Sequence, residues 1–109
     1  MDIKPTPEFL ASAKPLAKKY PSFNSDYQAF LKELRENPSL GTDLGSGLRK
    51  IRVAIKSKGK GKSGGARFVV FDAIAIKDTI YLIYAYDKSE ASNIKIEVIK
   101  EYIKDLEID

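Results

Sequence analysis

Apolar side chains recur at helical intervals through the first third of the chain. In residues 7–20, PEFLASAKPLAKKY, the side chains of Phe9, Leu10, Ala13, Leu16, Ala17 and Tyr20 fall on one stripe. Thr6 stands as the N-cap, Pro7 fits the first helical position, and Glu8 suits the positive end of the helix dipole. Pro15 lacks an N–H and crowds the preceding turn, which predicts a kink or two short helical pieces. A second stripe, Tyr27, Phe30, Leu31 and Leu34, predicts a helix over residues 25–36, with Phe23 one turn earlier. Ser25 and Gln28 read as its capping box and Asn37-Pro38 as its stop. Pro21 and Ser22 turn the chain between the two helices, which makes an αα-hairpin.

Residues 39–47, which contain three glycines, read as a loop. The period then changes to two. Ile51, Val53 and Ile55 alternate with Lys50, Arg52, Ala54 and Lys56, which predicts a half-buried strand with one cationic face. Residues 57–65, SKGKGKSGG, predict a flexible turn. Residues 66–76 are nearly all apolar, as in a central strand; Lys77-Asp78 is a short turn, and residues 79–86, TIYLIYAY, are a third strand. Short connections make these an antiparallel meander. Ile96, Ile99, Ile103 and Leu106 predict a final helix over residues 95–108, and residues 2–5 allow a short edge strand. The expected architecture is α+β: a helical hairpin packed on a small antiparallel sheet, with a C-terminal helix and the other sheet face partly open. A length of 109 residues fits one domain, residues 1–109.

Composition narrows the chemistry. The chain has no cysteine and no histidine. Disulfides, thiolate metal sites and cysteine nucleophiles are excluded, and the usual general base and zinc ligand are absent. Proton transfer then falls to Lys, Tyr, Asp or Glu, or catalysis is mainly electrostatic. No metal and no cofactor are expected. No apolar run approaches the roughly 18 residues of a membrane span, and the start, MDIKPTPEF, lacks the apolar region of a signal peptide. A soluble, cytoplasmic protein without a membrane partner is expected.

The net charge of +4 conceals an asymmetry. Residues 48–67 hold eight basic side chains, Arg49, Lys50, Arg52, Lys56, Lys58, Lys60, Lys62 and Arg67, and no acid; the other 89 residues carry 11 basic and 15 acidic ones. Such a block is either a polyanion-binding surface or a solvated basic loop. The run GKGKS at residues 59–63 is superficially like a phosphate loop. The Walker spacing, however, needs a glycine where Lys56 stands, and the run leads into a strand, so nucleotide hydrolysis is not expected. Arg67 heads the central strand, either as a rim arginine paired with Asp72 or Asp87 or as a guanidinium that grips a phosphate. Tyr84, Tyr86 and Lys88 share a face at the end of the next strand, where they serve sheet packing, base stacking or proton transfer. A meander makes Arg67 a neighbour of Tyr86 and Lys88.

Five segments in order, TPEF, KxLAKKYPS (residues 14–22), ENPxLGxxLGxGLRKIR (residues 36–52), KGKGKSGGAR (residues 58–67) and IYLIYAYDKSE (residues 80–90), carry a family resemblance. In their order and spacing the chain resembles the RelE/ParE toxin superfamily, closest to RelE- and HigB-like toxins of type II toxin–antitoxin systems. The resemblance implies a cytoplasmic endoribonuclease that cuts mRNA on the ribosome and is held inactive by a cognate antitoxin of the helix-turn-helix, DNA-binding kind. With no metal ligands to activate water, the expected nucleophile is the RNA's own 2′-hydroxyl, attacking the adjacent phosphate. Carried onto this chain, the resemblance implies Arg67, Lys56, Lys58, Tyr86 and Lys88 as catalytic residues. The RNA-binding set is Arg49, Lys50, Arg52, Lys60, Lys62 and Tyr84. Some members place histidine or aspartate in the site; this chain has no histidine, and Asp87 is the acid at the strand end. ParE-like relatives share the fold and inhibit gyrase without cutting RNA. That activity and a non-catalytic RNA-binding module are the alternative readings.

Overall fold

In the computed structural model, which describes residues 1–89, 95–104 and 106, Thr6 opens the first helix. Its hydroxyl oxygen accepts the Phe9 N–H at 3.1 Å and donates its own hydrogen to the Leu82 carbonyl at 2.9 Å, so the cap is also a tie to the sheet. Helix α1, Pro7–Lys19, runs through Pro15 as one continuous helix. The missing N–H leaves the Ala11 carbonyl without its helical donor. Ala11 and Pro15 are both exposed, so water meets that carbonyl and the helix survives.

Helix α2, Phe23–Glu36, begins two residues before the predicted start. The Ser25/Gln28 capping box does not form. Ser22 occupies the N-cap position, and its hydroxyl donates to Asp26 at 2.6 Å; the Ser25 hydroxyl donates back to the Ser22 carbonyl. Asn37 ends the helix as expected.

Five strands follow the order β1-β5-β4-β3-β2: β1 Asp2–Pro5, β2 Thr42–Gly45, β3 Leu48–Val53, β4 Ala66–Ala73 and β5 Thr79–Asp87. The predicted meander is β3-β4-β5. The edge strand β1 joins β5 in parallel, which makes the sheet mixed. Residues 39–47 are not all loop: β2 pairs with β3 across the two-residue turn Ser46-Gly47, whose φ values are 56° and 80°. Two consecutive positive φ angles are what a tight hairpin with the sheet's twist demands. A Cβ at Gly47 would lie 2.8 Å from the Phe71 ring, so glycine is needed there for space as well. Strand β4 stops at Ala73, short of the predicted end. Asp72 accepts the Ile74 N–H at 3.0 Å and starts the single-turn helix α4, Ile74–Lys77, which closes on Asp78 at φ 52°.

The hairpin α1–α2 covers one sheet face. Phe9, Leu16, Phe23, Phe30 and Leu34 pack on Ile51, Phe68 and Leu82, and the Phe68 ring meets Phe9 and Phe30 edge-on at 5.1 and 4.8 Å. On the opposite face, helix α5, Ile96–Lys104, lays Ile99 over Leu48, Val69 and Ile83. That face was expected to be partly open, and α5 covers this stretch of it. Residues 105, 107 and 108 of the predicted final helix lie outside the described residues. A bulge in β5 places Ile83 between the pairs Val69↔Tyr84 and Val70↔Leu82, so Ile83 and Tyr84 both join the α5-side cluster.

The β2–β3 turn yields a paired prediction. Gly45→Ala, at φ 84° with open space around the new Cβ, tests backbone strain alone and should cost about 1 kcal/mol. Gly47→Ala adds the Phe71 collision and should cost about 2 kcal/mol or more. Urea unfolding midpoints of the two variants check the order.

Candidate nucleic-acid interface

Strand register aligns three side chains that are far apart in sequence. Arg52 pairs with Arg67 across β3 and β4, and Arg67 pairs with Tyr86 across β4 and β5. Alternation turns this row to the α5 side of the sheet, where Tyr86 is buried. Arg67 is not a rim residue; it is 6% exposed. It pairs with neither Asp72 nor Asp87, because Arg49 takes Asp72 at 2.6 Å and Lys58 takes Asp87 at 2.7 Å. Instead one terminal nitrogen donates to the Lys62 and Ala66 carbonyls at 3.1 and 3.2 Å, and the other to the Ser63 carbonyl at 2.9 Å.

Burial lowers the pKa of Arg67, and the neighbouring charge of Arg52 lowers it further, while Tyr86 acts in the opposite sense. Burial pushes the Tyr86 phenol up, against a smaller downward pull from Arg67. Tyr86 is therefore a protonated phenol at neutral pH beside the Arg67 guanidinium. Arg52 is exposed and makes no hydrogen bond or ion pair among the described residues.

Residues 57–65, predicted as a flexible turn, are tied down, together with Lys56, which was expected in the preceding strand but lies beyond its end at Val53. A 3₁₀ turn, Lys56–Lys58, leads to the single-turn helix α3, Gly61–Gly64. The buried Asp26 carboxylate accepts the Lys56 N–H at 3.1 Å, and the Ser22 hydroxyl oxygen accepts the Ser57 N–H at 2.9 Å. Lys62 pairs with Glu33 at 2.8 Å. A Cβ on Gly65 would lie 2.1 Å from the Val53 carbonyl oxygen, so only glycine lets the chain return beside β3.

The deepest tie is the ion pair of Lys58 with Asp87, whose side chains are 7% and 2% exposed. Asp87 also accepts the Tyr20 hydroxyl, the Ser89 N–H at 3.0 Å and the Ser89 hydroxyl at 2.8 Å. Burial alone would raise its pKa. The hydrogen bonds from Lys58, Tyr20 and Ser89 outweigh burial and hold the carboxyl far below the usual carboxylate range.

The sequence-predicted residues thus divide. Arg52, Arg67 and Tyr86 form the row. Lys50 projects from the same face two residues from Arg52, and Lys56, Lys60 and Lys88 are exposed; none of these four lysine side chains has a hydrogen bond or ion pair among the described residues. Lys58 and Lys62 are committed to Asp87 and Glu33. Arg49 faces the other way: it pairs with Asp72 and donates to the Pro38 and Leu40 carbonyls, fixing the chain after α2. Tyr84 stacks on Tyr102 of α5, with ring centroids 6.2 Å apart. The sequence reading missed Asp26 and Tyr20 as anchors. Asp26 had a signal, an acid lying on the apolar stripe between Phe23 and Phe30. Tyr20 was assigned to the apolar stripe alone. Among the described residues no group of three or more Asp or Glu side chains forms a metal site, and no helix is long and apolar enough to cross a membrane.

A family model described as the RelE toxin of the RelE/RelB toxin–antitoxin system matches residues 14–106.

The Asp87 site has a signed pH consequence. Its folded pKa is depressed, so its stabilisation is complete above the unfolded value of about 3.9 and is lost as pH falls towards the folded value. The protein should lose stability below about pH 4. Asp87→Asn should cost about 3–5 kcal/mol at neutral pH, as for breaking a buried pair, and should flatten the acid limb. Urea unfolding at pH 7 and pH 3 checks both.

Proposed function

The chain belongs to the RelE toxin family, and we propose that it is a ribosome-dependent endoribonuclease that cuts mRNA through attack of the RNA's own 2′-hydroxyl on the adjacent phosphate. Family membership implies an antitoxin partner, and we take this to be a helix-turn-helix DNA-binding protein. The observation that carries the reading is the Arg52–Arg67–Tyr86 row, two guanidinium groups and a phenol on adjacent strands, with no carboxylate among the described residues bonded to either arginine.

Phosphoryl transfer within RNA builds negative charge on the equatorial phosphate oxygens and on the departing 5′-oxygen. Arg67, buried and held by backbone carbonyls, and the exposed Arg52 beside it are the donors for the equatorial charge. A phosphate at Arg67 competes with three neutral carbonyls, and an anion is the stronger acceptor. Tyr86, whose pKa is raised, holds the proton for the 5′-oxygen. Lys56, acting in its neutral amine form, is the candidate to receive the 2′-hydroxyl proton, since Lys58 is committed to Asp87. Lys50, Lys60 and Lys88 add positive field along the RNA path. The mechanism calls on no metal of the protein's own.

Two measurements test this. Arg67→Ala should lower the cleavage rate constant by about 100-fold or more, the loss seen on removing one transition-state donor. Because Arg67 is buried, the substitution should also cost about 1–3 kcal/mol, and circular dichroism should still report a folded protein. In end-group analysis of mRNA cut on ribosomes, the 5′ fragment should carry a 2′,3′-cyclic phosphate or its opened monophosphate, and the 3′ fragment a free 5′-hydroxyl. A message with a deoxynucleotide at the cut position should resist cleavage. Cutting of that message at the normal rate, or a 5′-phosphate on the 3′ fragment, would refute the mechanism. Gyrase-dependent DNA breaks without RNA cleavage would assign the chain to the gyrase-inhibiting branch instead.

A further inference from the structure

The Lys58–Asp87 pair is the most deeply buried ionic contact among the described residues, and nothing in the phosphoryl-transfer scheme uses it. Its surroundings form a chain of contacts that ends at the row. Asp87 is the last residue of β5, directly after Tyr86. Its carboxylate joins Tyr20 at the end of α1, Lys58 in the 56–65 segment and Ser89 beyond the strand. Lys19 adds a longer contact at 3.9 Å. Lys58 sits over the Tyr20 ring, 5.5 Å from its centroid, and reaches the Gly65 carbonyl at 3.4 Å, so one ammonium closes the base of the segment. Within that closed segment lie the Lys62 and Ser63 carbonyls that hold the Arg67 guanidinium.

A buried ion pair contributes little net stability beside an apolar pair of the same volume, but it demands a fixed geometry. We propose that Asp87 is a positioning residue: through Lys58 it latches the 56–65 segment, and the latched segment holds Arg67 in line with Arg52 and Tyr86. The latch stands on the structure alone; its catalytic consequence rests on the ribonuclease reading. Lys58 is then a strut and not a proton carrier. Loss of the latch leaves Arg52, Lys50, Lys56, Lys60 and Lys88 in place to attract RNA. The damage should therefore fall on the rate constant of cleavage more than on KM.

The test compares full-length Asp87→Asn, Lys58→Met, their double variant and Lys58→Arg. One readout is amide hydrogen exchange over residues 56–65, and the other is kcat and KM for cleavage of ribosome-bound mRNA. Each single neutralisation should speed exchange in the segment at least tenfold and lower kcat at least tenfold, with KM changed less than threefold. The double variant should be no worse than the worse single, and Lys58→Arg should restore slow exchange and most of kcat. Unchanged exchange in the single variants overturns the latch. Faster exchange with unchanged kcat overturns the positioning role, and single effects that multiply in the double variant overturn the pairing. If Asp87→Asn does not fold, Lys58→Met carries both readouts. If the wild type cuts no RNA, the ribonuclease reading fails, and the exchange measurements decide the latch by themselves.

Discussion

The pairing register of β3, β4 and β5 fixes both what is buried and what is offered to a ligand. Side chains alternate along a strand, so a slip of one residue would drive Arg52 and Arg67 into the aromatic core around Phe68 and expose Ile51 and Phe68 instead. The apolar cost of that exchange locks the register, and the locked register puts the two arginines and Tyr86 side by side. The candidate site is thus a by-product of core packing on the far side of the same sheet. The bulge at Ile83 refines this arrangement. It lets β5 present Ile83 and Tyr84 to α5 while Ala85 returns to the hairpin face and Tyr86 to the row.

Elements with a strong period were legible in the sequence. The stripes of α1 and α2, the alternation through Ile51 and Val53, and the apolar run of β4 each announce a buried face. Strand β2 was not legible, because a short polar edge strand has no face to bury; its signal was the Ser46-Gly47 turn. Pro15 does not split α1 into two pieces, because the Ala11 carbonyl that it leaves without a donor lies on the exposed side of the helix. Meander topology alone makes Arg67 and Tyr86 neighbours, and the sequence allows Arg67 either a rim ion pair or a phosphate grip. Its burial against backbone carbonyls depends on the fold of residues 61–65, which no periodicity encodes.

The eight cations of residues 48–67 form a mixed population. Arg49, Lys58 and Lys62 are spent on Asp72, Asp87 and Glu33, partners 23, 29 and 29 residues away in the chain. Composition registers the cluster but cannot separate structural charges from free ones when their partners are so distant. What remains, the exposed Arg52 with Lys50, Lys56 and Lys60, and the buried Arg67 beside Arg52, is a smaller cationic set than the block suggests.

The tie between Thr6 and Leu82 spans 76 positions, and β1 lies parallel to β5. Contacts of such separation form late, because the intervening chain must be closed first. During synthesis the first helix emerges long before the strand that receives its cap, and Tyr86 follows Arg52 and Arg67 by 34 and 19 residues. The three side chains of the row therefore cannot meet until β5 has been made and has paired with β4. The order of the strands along the chain thus makes the row one of the last features of the sheet to be assembled.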